Sequence, residues 1–273
     1  MKKAFTLGIG VTLKSDYELD EHTVIRPYSL TVNHLELMGL TQTKREYGFI
    51  CALADFISFE IESKGPDEEK AAVLDWNNQW ALALLSVIIK KPITWPVRRV
   101  IDEKSGKENF TLKNLFFCNF RCEQPHILKK KELDTLKVLY PKFYGLMENK
   151  RFVRAASIAA THFHEPKIDI RIASIWAGIE ALIGVDQELR HRIALFASRF
   201  LETSLKKRKE KFQFIKKLYD QRSKCVHGNG LKTRKEEEEA YLNSHDLLCE
   251  LLLKIIRNET MPDKDSLEEV MLS

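Results

Sequence analysis

Residues Ile172–Gly184 read IASIWAGIEALIG, and this stretch decides the class of the C-terminal half. Ile172, Ile175, Trp176, Ile179, Leu182 and Ile183 recur at three- and four-residue intervals, which is one stripe of an α-helix. Ser174, Ala177, Gly178 and Ala181 lie on the other side, where small side chains let a second helix approach closely. A helix of this kind is expected to be buried all round. Glu180 is the only charge between Ile172 and Gly184, and a carboxylate in that setting requires a partner.

The same periodicity extends outward. It predicts helices over 131–147, 151–163, 168–184, 188–204, 209–227 and 235–257, an all-α bundle. The run Glu236–Glu239 falls at the start of the last helix, where acids offset the dipole. Before about Pro125 the pattern differs. Phe5, Leu7, Ile9, Val11 and Leu13 alternate with Thr6, Gly8, Gly10 and Thr12, the period of a strand. Further extended stretches are expected over 28–37, 93–101 and 110–120. The stretch 46–62 suits helix or strand. Gly65-Pro66-Asp67 reads as a turn opening a helix that runs to Ile89 and stops before Pro92. The expected architecture is an α+β N-terminal domain over 1–128, a helical domain over 129–258, and an acidic tail over 259–273.

The chain has 273 residues, 44% of them hydrophobic, enough for one large or two ordinary domains with a real core. The longest apolar runs, Trp80–Ile89 and Ile172–Val185, fall short of the roughly 20 residues of a membrane span. Strand alternation after Met1-Lys2-Lys3 argues against a secretion leader. Five scattered cysteines fit a reduced, cytoplasmic protein. Residues 129–235 hold 25 Lys and Arg against 11 Asp and Glu. Such an excess suits nucleic acid or phosphate, or simply a solvated helical surface.

The helix over 209–227 carries the chemistry. Its apolar side includes Ile215, Leu218, Tyr219, Cys225 and Val226, and Arg222 projects into that stripe. An arginine keeps its proton, so it needs an anion there, either Glu180 or a bound phosphate. His227 follows five residues later, and Gly228 suits the end of the helix, so His227 is expected at an exposed helix terminus. Arg222 and His227 are about 140° apart around the helix and could border one groove. Upstream lie Lys206, Lys207, Arg208, Lys209, Lys211, Lys216 and Lys217, a run that could steer RNA.

Together, IASIWAGIEALIG and Leu218–Gly228, LYDQRSKCVHG, resemble the HEPN superfamily, in particular its ApeA-like branch. The resemblance covers roughly residues 130–257. The family's Arg-x4–6-His motif falls on Arg222 and His227, with Ser223 at the polar position after the arginine. It implies an all-α HEPN helical bundle there, following the α+β N-terminal domain that the periodicity predicts. It also implies a metal-independent endoribonuclease with no cofactor, acting as a homodimer with both motifs facing a shared cleft. Some members serve in toxin–antitoxin or antiviral abortive-infection systems. On this reading Arg222 and His227 are catalytic, with Glu180, Tyr219, Ser223 and Lys224 in support. The alternative is a non-catalytic HEPN module that dimerises or binds nucleotide or RNA.

Other constellations are weaker. Cys118, Cys122 and His126 resemble half a zinc site without a fourth ligand. His162 and His164, alternating near a helix end, are expected to be exposed. His245 reads as a hydrogen-bonded core histidine, and Trp76 and Trp80 as core.

Overall fold

The computed structural model describes residues 2–31, 33–101, 108–113, 124–185, 189–228 and 230–262. The chain divides into two compact units, Met1–Val138 and Leu139–Ser273. The first is built on an antiparallel sheet and the second is helical. Among the described residues, no helix is long and apolar enough to cross a membrane.

In the first unit, β1 (Lys2–Ile9), β2 (Val11–Thr12), β3 (Tyr17–Glu18) and β4 (Thr23–Pro27) precede α1 (His34–Leu40) and α2 (Lys44–Leu53). Then come β5 (Phe59–Gly65), α3 (Glu68–Ile89), β6 (Thr94–Ile101), β7 (Glu108–Leu112) and β8 (His126–Ile127). Six strands form one sheet in the order β3-β4-β5-β1-β6-β7, all pairs antiparallel, while β2 and β8 make a separate parallel pair. β1 is central, and its alternation sorts two buried faces. Leu7 and Ile9 pack with Leu37, Ile50 and Leu53 of α1 and α2. Thr6 faces α3.

That second face contains a buried polar knot. Asp75 of α3 accepts a hydrogen bond from Thr6 Oγ1 at 2.5 Å and pairs with Lys113 Nζ at 2.5 Å. Asn78 bonds Ser63 and Thr23 beside it. Burial pulls the Lys113 ammonium down and Asp75 opposes this. The knot fixes how α3 lies on the sheet, because a shift would orphan several polar groups at once.

Two expectations are corrected in this unit, and one open reading is resolved. The extended stretch over 28–37 is absent: β4 ends at Pro27, and the Asn33 side chain caps α1 by accepting from Leu35 N–H at 3.2 Å. The ambiguous 46–62 holds both states. A capping box between Thr43 and Glu46 starts α2, and β5 begins at Phe59. Trp76 is 68% exposed rather than core, because α3 turns Ala71, Asp75 and Asn78 inward instead. Most of 110–120, together with Cys118 and Cys122 of the suggested zinc site, lies outside the described residues. His126 faces Glu132 at 3.1 Å.

The boundary between units falls inside α4 (Lys130–Gly145). The helical unit continues with α5 (Lys150–Thr161), α6 (Ile168–Ile183), α7 (Leu189–Leu201), α8 (Leu205–Val226) and α9 (Arg234–Asn258). α6 is the central helix and packs on α5, α7, α8 and α9. Trp176, on its buried stripe, is fully enclosed and donates from Nε1 to Ser244 Oγ of α9 at 3.1 Å. Gly178 faces Leu248 of α9 and Ala155 of α5, and a Cβ there would stand 3.4 Å from Leu248, an ordinary contact distance, so the approach of these helices does not require a glycine. The helix is not buried all round, however: Ser174, Ala177, Glu180 and Ala181 are only partly covered. α7 ends earlier than its periodicity predicts, because Ser204 caps the next helix instead of closing the last.

Replacing Asp75 with Ala leaves the Lys113 ammonium buried without its counter-charge. Urea unfolding is expected to show a loss of about 3–5 kcal/mol.

Candidate functional site

α8 is the element that positions the site. Its Ser204 cap places the start at Leu205, four residues before the periodicity predicts, so the whole basic run lies on the helix. At the far end His227 is the cap residue, and its N–H reaches the Ser223 carbonyl at 3.1 Å. Gly228 follows with φ +75°, a left-handed turn that glycine adopts without strain. His227 is exposed, as expected, and its imidazole is not hydrogen-bonded to the described residues.

Arg222 points the other way, into the seam between α8 and α6. Its Nη2 stands 3.2 Å from Glu180 Oε1, and the two side chains are 19% and 23% exposed. The guanidinium also lies over the Tyr219 ring, 5.4 Å from its centre. Tyr219 in turn meets Trp176 edge-on at 5.2 Å. Glu180 is therefore the anion that Arg222 requires, and Tyr219 and Trp176 supply the wall behind it. Burial pushes the Glu180 carboxyl up, while Arg222 and then Arg154 of α5 pull it down.

The Arg222–Glu180 pair is incomplete. Among the described residues, neither Arg222 Nε nor Glu180 Oε1 has a hydrogen-bond partner. Two residues before Arg222, Asp220 makes the opposite arrangement with Arg190 of α7. Nε and Nη2 grip the two carboxylate oxygens at 2.5 and 2.6 Å, and this holds the Asp220 carboxyl below its ordinary range. Arg190 and Asp220 are thus satisfied by each other, whereas Arg222 is held by charge and stacking.

The remaining predicted residues separate into two sets. Lys206, Lys207, Lys209, Lys217 and Lys224 are exposed. Lys211 pairs with Glu250 of α9 at 2.6 Å, Arg208 donates to the Glu202 carbonyl at 2.8 Å, and Lys216 sits 5.1 Å from the Phe212 ring centre. Ser223 is partly buried. Sequence reasoning missed Arg154, Arg190 and Asp220 as neighbours of the site. Asp220 stands in the quoted block, but nothing in the sequence signals a partner 30 residues away.

A second polar cluster lies in the bundle. His162 is 5% exposed, contrary to the expectation for it, because its Nδ1 bonds the Ile158 carbonyl at 2.9 Å and its Nε2 meets Tyr241 OH at 3.1 Å. Its ring centre is 4.8 Å from that of His245, whose Nε2 lies 3.4 Å from Cys249 Sγ. His245 is thus the hydrogen-bonded core histidine expected. Burial, and then the neighbouring His245, pushes the His162 imidazole down to about 3. Burial and then Arg171 push His164 down to about 4. Among the described residues, no group of three or more His, Cys, Asp or Glu could hold a metal ion.

No protein-family model, curated protein or solved structure matches the chain at a significant level.

The histidine cluster gives a pH dependence. In the unfolded chain an imidazole takes its proton near pH 6.5, whereas His162 does so near 3 when folded. The unfolded state therefore gains protons first as pH falls. Stability is full above about pH 6.5 and declines towards pH 3, and His162 alone accounts for about 2 kcal/mol of loss at pH 5. Urea unfolding at pH 7 and pH 5 measures this, and His162→Gln is expected to flatten the difference.

Proposed function

We propose that the helical unit is a metal-independent HEPN endoribonuclease of the ApeA-like kind. The observation that carries this is the state of Arg222. It is oriented by Glu180 and Tyr219 but not closed off by a bidentate partner, and it lies five residues before an exposed histidine.

The chemistry follows from the two groups. RNA carries its own nucleophile. When the 2′-hydroxyl attacks the adjacent phosphorus, the 2′-oxygen loses a proton and the 5′-oxygen leaves and gains one. The products are a 2′,3′-cyclic phosphate and a 5′-hydroxyl. The exposed imidazole of His227 has one ring nitrogen that can accept a proton and another that can donate one, so it serves as general acid or base. Arg222 presents a permanent positive charge to the phosphate oxygens as negative charge builds on them. Glu180 and Tyr219 are positioning residues that act through Arg222, and Ser223 and Lys224 add contacts to phosphate.

The angular separation supports a homodimer. One α8 presents Arg222 and His227 about 140° apart. Two copies that juxtapose these helix ends supply both groups to one phosphate from two sides. The partly covered side of α6, with Ser174, Ala177 and Ala181 beside Glu180, leaves room for a second chain to come close.

A second reading draws on the same geometry. Arg222 already faces an anion of its own chain, so the unit would act as a non-catalytic module that dimerises or binds nucleotide or RNA.

Incubating the purified protein with total RNA and with tRNA in EDTA separates the two. The wild type is expected to leave 2′,3′-cyclic ends. His227→Ala is expected to lower the rate about 10²–10⁴-fold. Arg222→Ala is expected to lower it about 10²–10³-fold, with folding checked by circular dichroism. Cleavage of equal strength by all three, or by none, overturns the ribonuclease.

A further inference from the structure

The Ser204 cap turns the basic run into a surface with a direction. At about 100° per residue, Lys206, Gln213, Lys217 and Lys224 fall within about 20° of one line along α8. Lys209 lies about 60° to one side, and His227 lies on that same side. The line spans 18 residues, about 27 Å at 1.5 Å per residue. All four residues on it are exposed. The cations with partners in the fold, Arg208 on the Glu202 carbonyl, Lys211 on Glu250 of α9 and Lys216 on the Phe212 ring, sit off it.

Two features make this more than a solvated face. The first turn of α8 contains no acid, and Lys206, Lys207 and Arg208 stand there against the positive end of the helix dipole. α3 and α9 place Glu68 and Glu69, and Glu236 and Glu237, in the same positions. α5 and α7 also open without an acid, and α8 differs from them in continuing its opening cations, Lys206 to Lys209, along the helix to Lys217 and Lys224. In addition, Asp220 borders the line, and Arg190 neutralises it with a two-pronged grip. The exposed Glu210 is left as the acid beside the row.

We propose that the outward row of α8, Lys206, Lys217 and Lys224 with Lys209 beside it, is a track for the phosphate backbone of single-stranded RNA that leads to His227. The proposal rests on the ribonuclease reading for the choice of RNA. It adds where the strand lies and which lysines hold it. The contacts are to phosphate, so the track orients a strand without reading its sequence.

The test is binding of a fluorescent twelve-nucleotide oligouridylate, measured by anisotropy in the His227→Ala background so that the probe survives. The row variant Lys206→Ala/Lys217→Ala/Lys224→Ala is compared with Lys129→Ala/Lys130→Ala/Lys131→Ala, which removes the same charge from exposed positions at the start of α4. The row variant is expected to bind on the order of tenfold or more weakly at 0.1 M salt. Its plot of log affinity against log salt is expected to flatten by about 2, as three lost phosphate contacts require. The comparison variant is expected to stay within about twofold of the parent. Equal loss in both variants, no loss in the row variant, no binding by the parent, or equally tight binding of a twelve-residue polyglutamate overturns the track. Cleavage by the wild-type protein is scored separately. Row-dependent binding without cleavage keeps the track and removes the ribonuclease; cleavage with row-independent binding does the reverse.

Discussion

A guanidinium does not give up its proton, so wherever the chain places Arg222 an anion must be found. The helical unit is arranged around that requirement. Glu180 answers it at 3.2 Å, and it can do so because α6 lies at the centre of the bundle with its buried stripe on one side and a partly covered strip on the other. Trp176 anchors α6 to α9 through Ser244 and supports Tyr219, and Tyr219 supports the guanidinium. The order of dependence runs from apolar packing to aromatic contact to charge. Loss of the packing would release the charge.

Two arginines in the same unit show how differently a carboxylate can be used. Arg190 and Asp220 satisfy each other with two short, parallel hydrogen bonds, and little capacity is left on either. Arg222 and Glu180 meet at ion-pair distance while Nε and Oε1 lack hydrogen-bond partners among the described residues. An incompletely satisfied, half-buried ion pair is poor as a structural device. On the ribonuclease proposal it is the pair that receives a phosphate oxygen, because the guanidinium is already oriented and Nε carries no hydrogen bond among the described residues.

Charge is handled in another way in the first unit. Arg26 faces Glu60 and Glu62, Arg99 faces Glu60 and Glu108, and Asp75 gathers Thr6 and Lys113. These cations are spent inside the fold, where they fix the register of strands and the seat of α3. In the helical unit, Lys206, Lys209, Lys217 and Lys224 remain outside. The basic excess that the composition shows is therefore available at the surface in the half that carries the candidate site.

The sequence by itself determined the two-part organisation, the six C-terminal helices, and the facts that Arg222 would turn inward and His227 would end its helix exposed. These follow from local periodicity and from the 100° step between residues, which needs no knowledge of neighbours. Capping marked the limit of that approach. Asn33 converts an apparently extended stretch into α1, and Ser204 moves the start of α8. A side chain that satisfies a backbone N–H outweighs a few residues of apolar pattern. The partners were decided only in three dimensions. That Glu180, rather than another anion, meets Arg222, that Arg190 holds Asp220, that His162 is buried against Tyr241 and His245, and that Trp76 is left in solvent all depend on which helix or sheet faces which. Such pairings join residues far apart in the chain, and their strength comes from desolvation that exists only once the elements have packed.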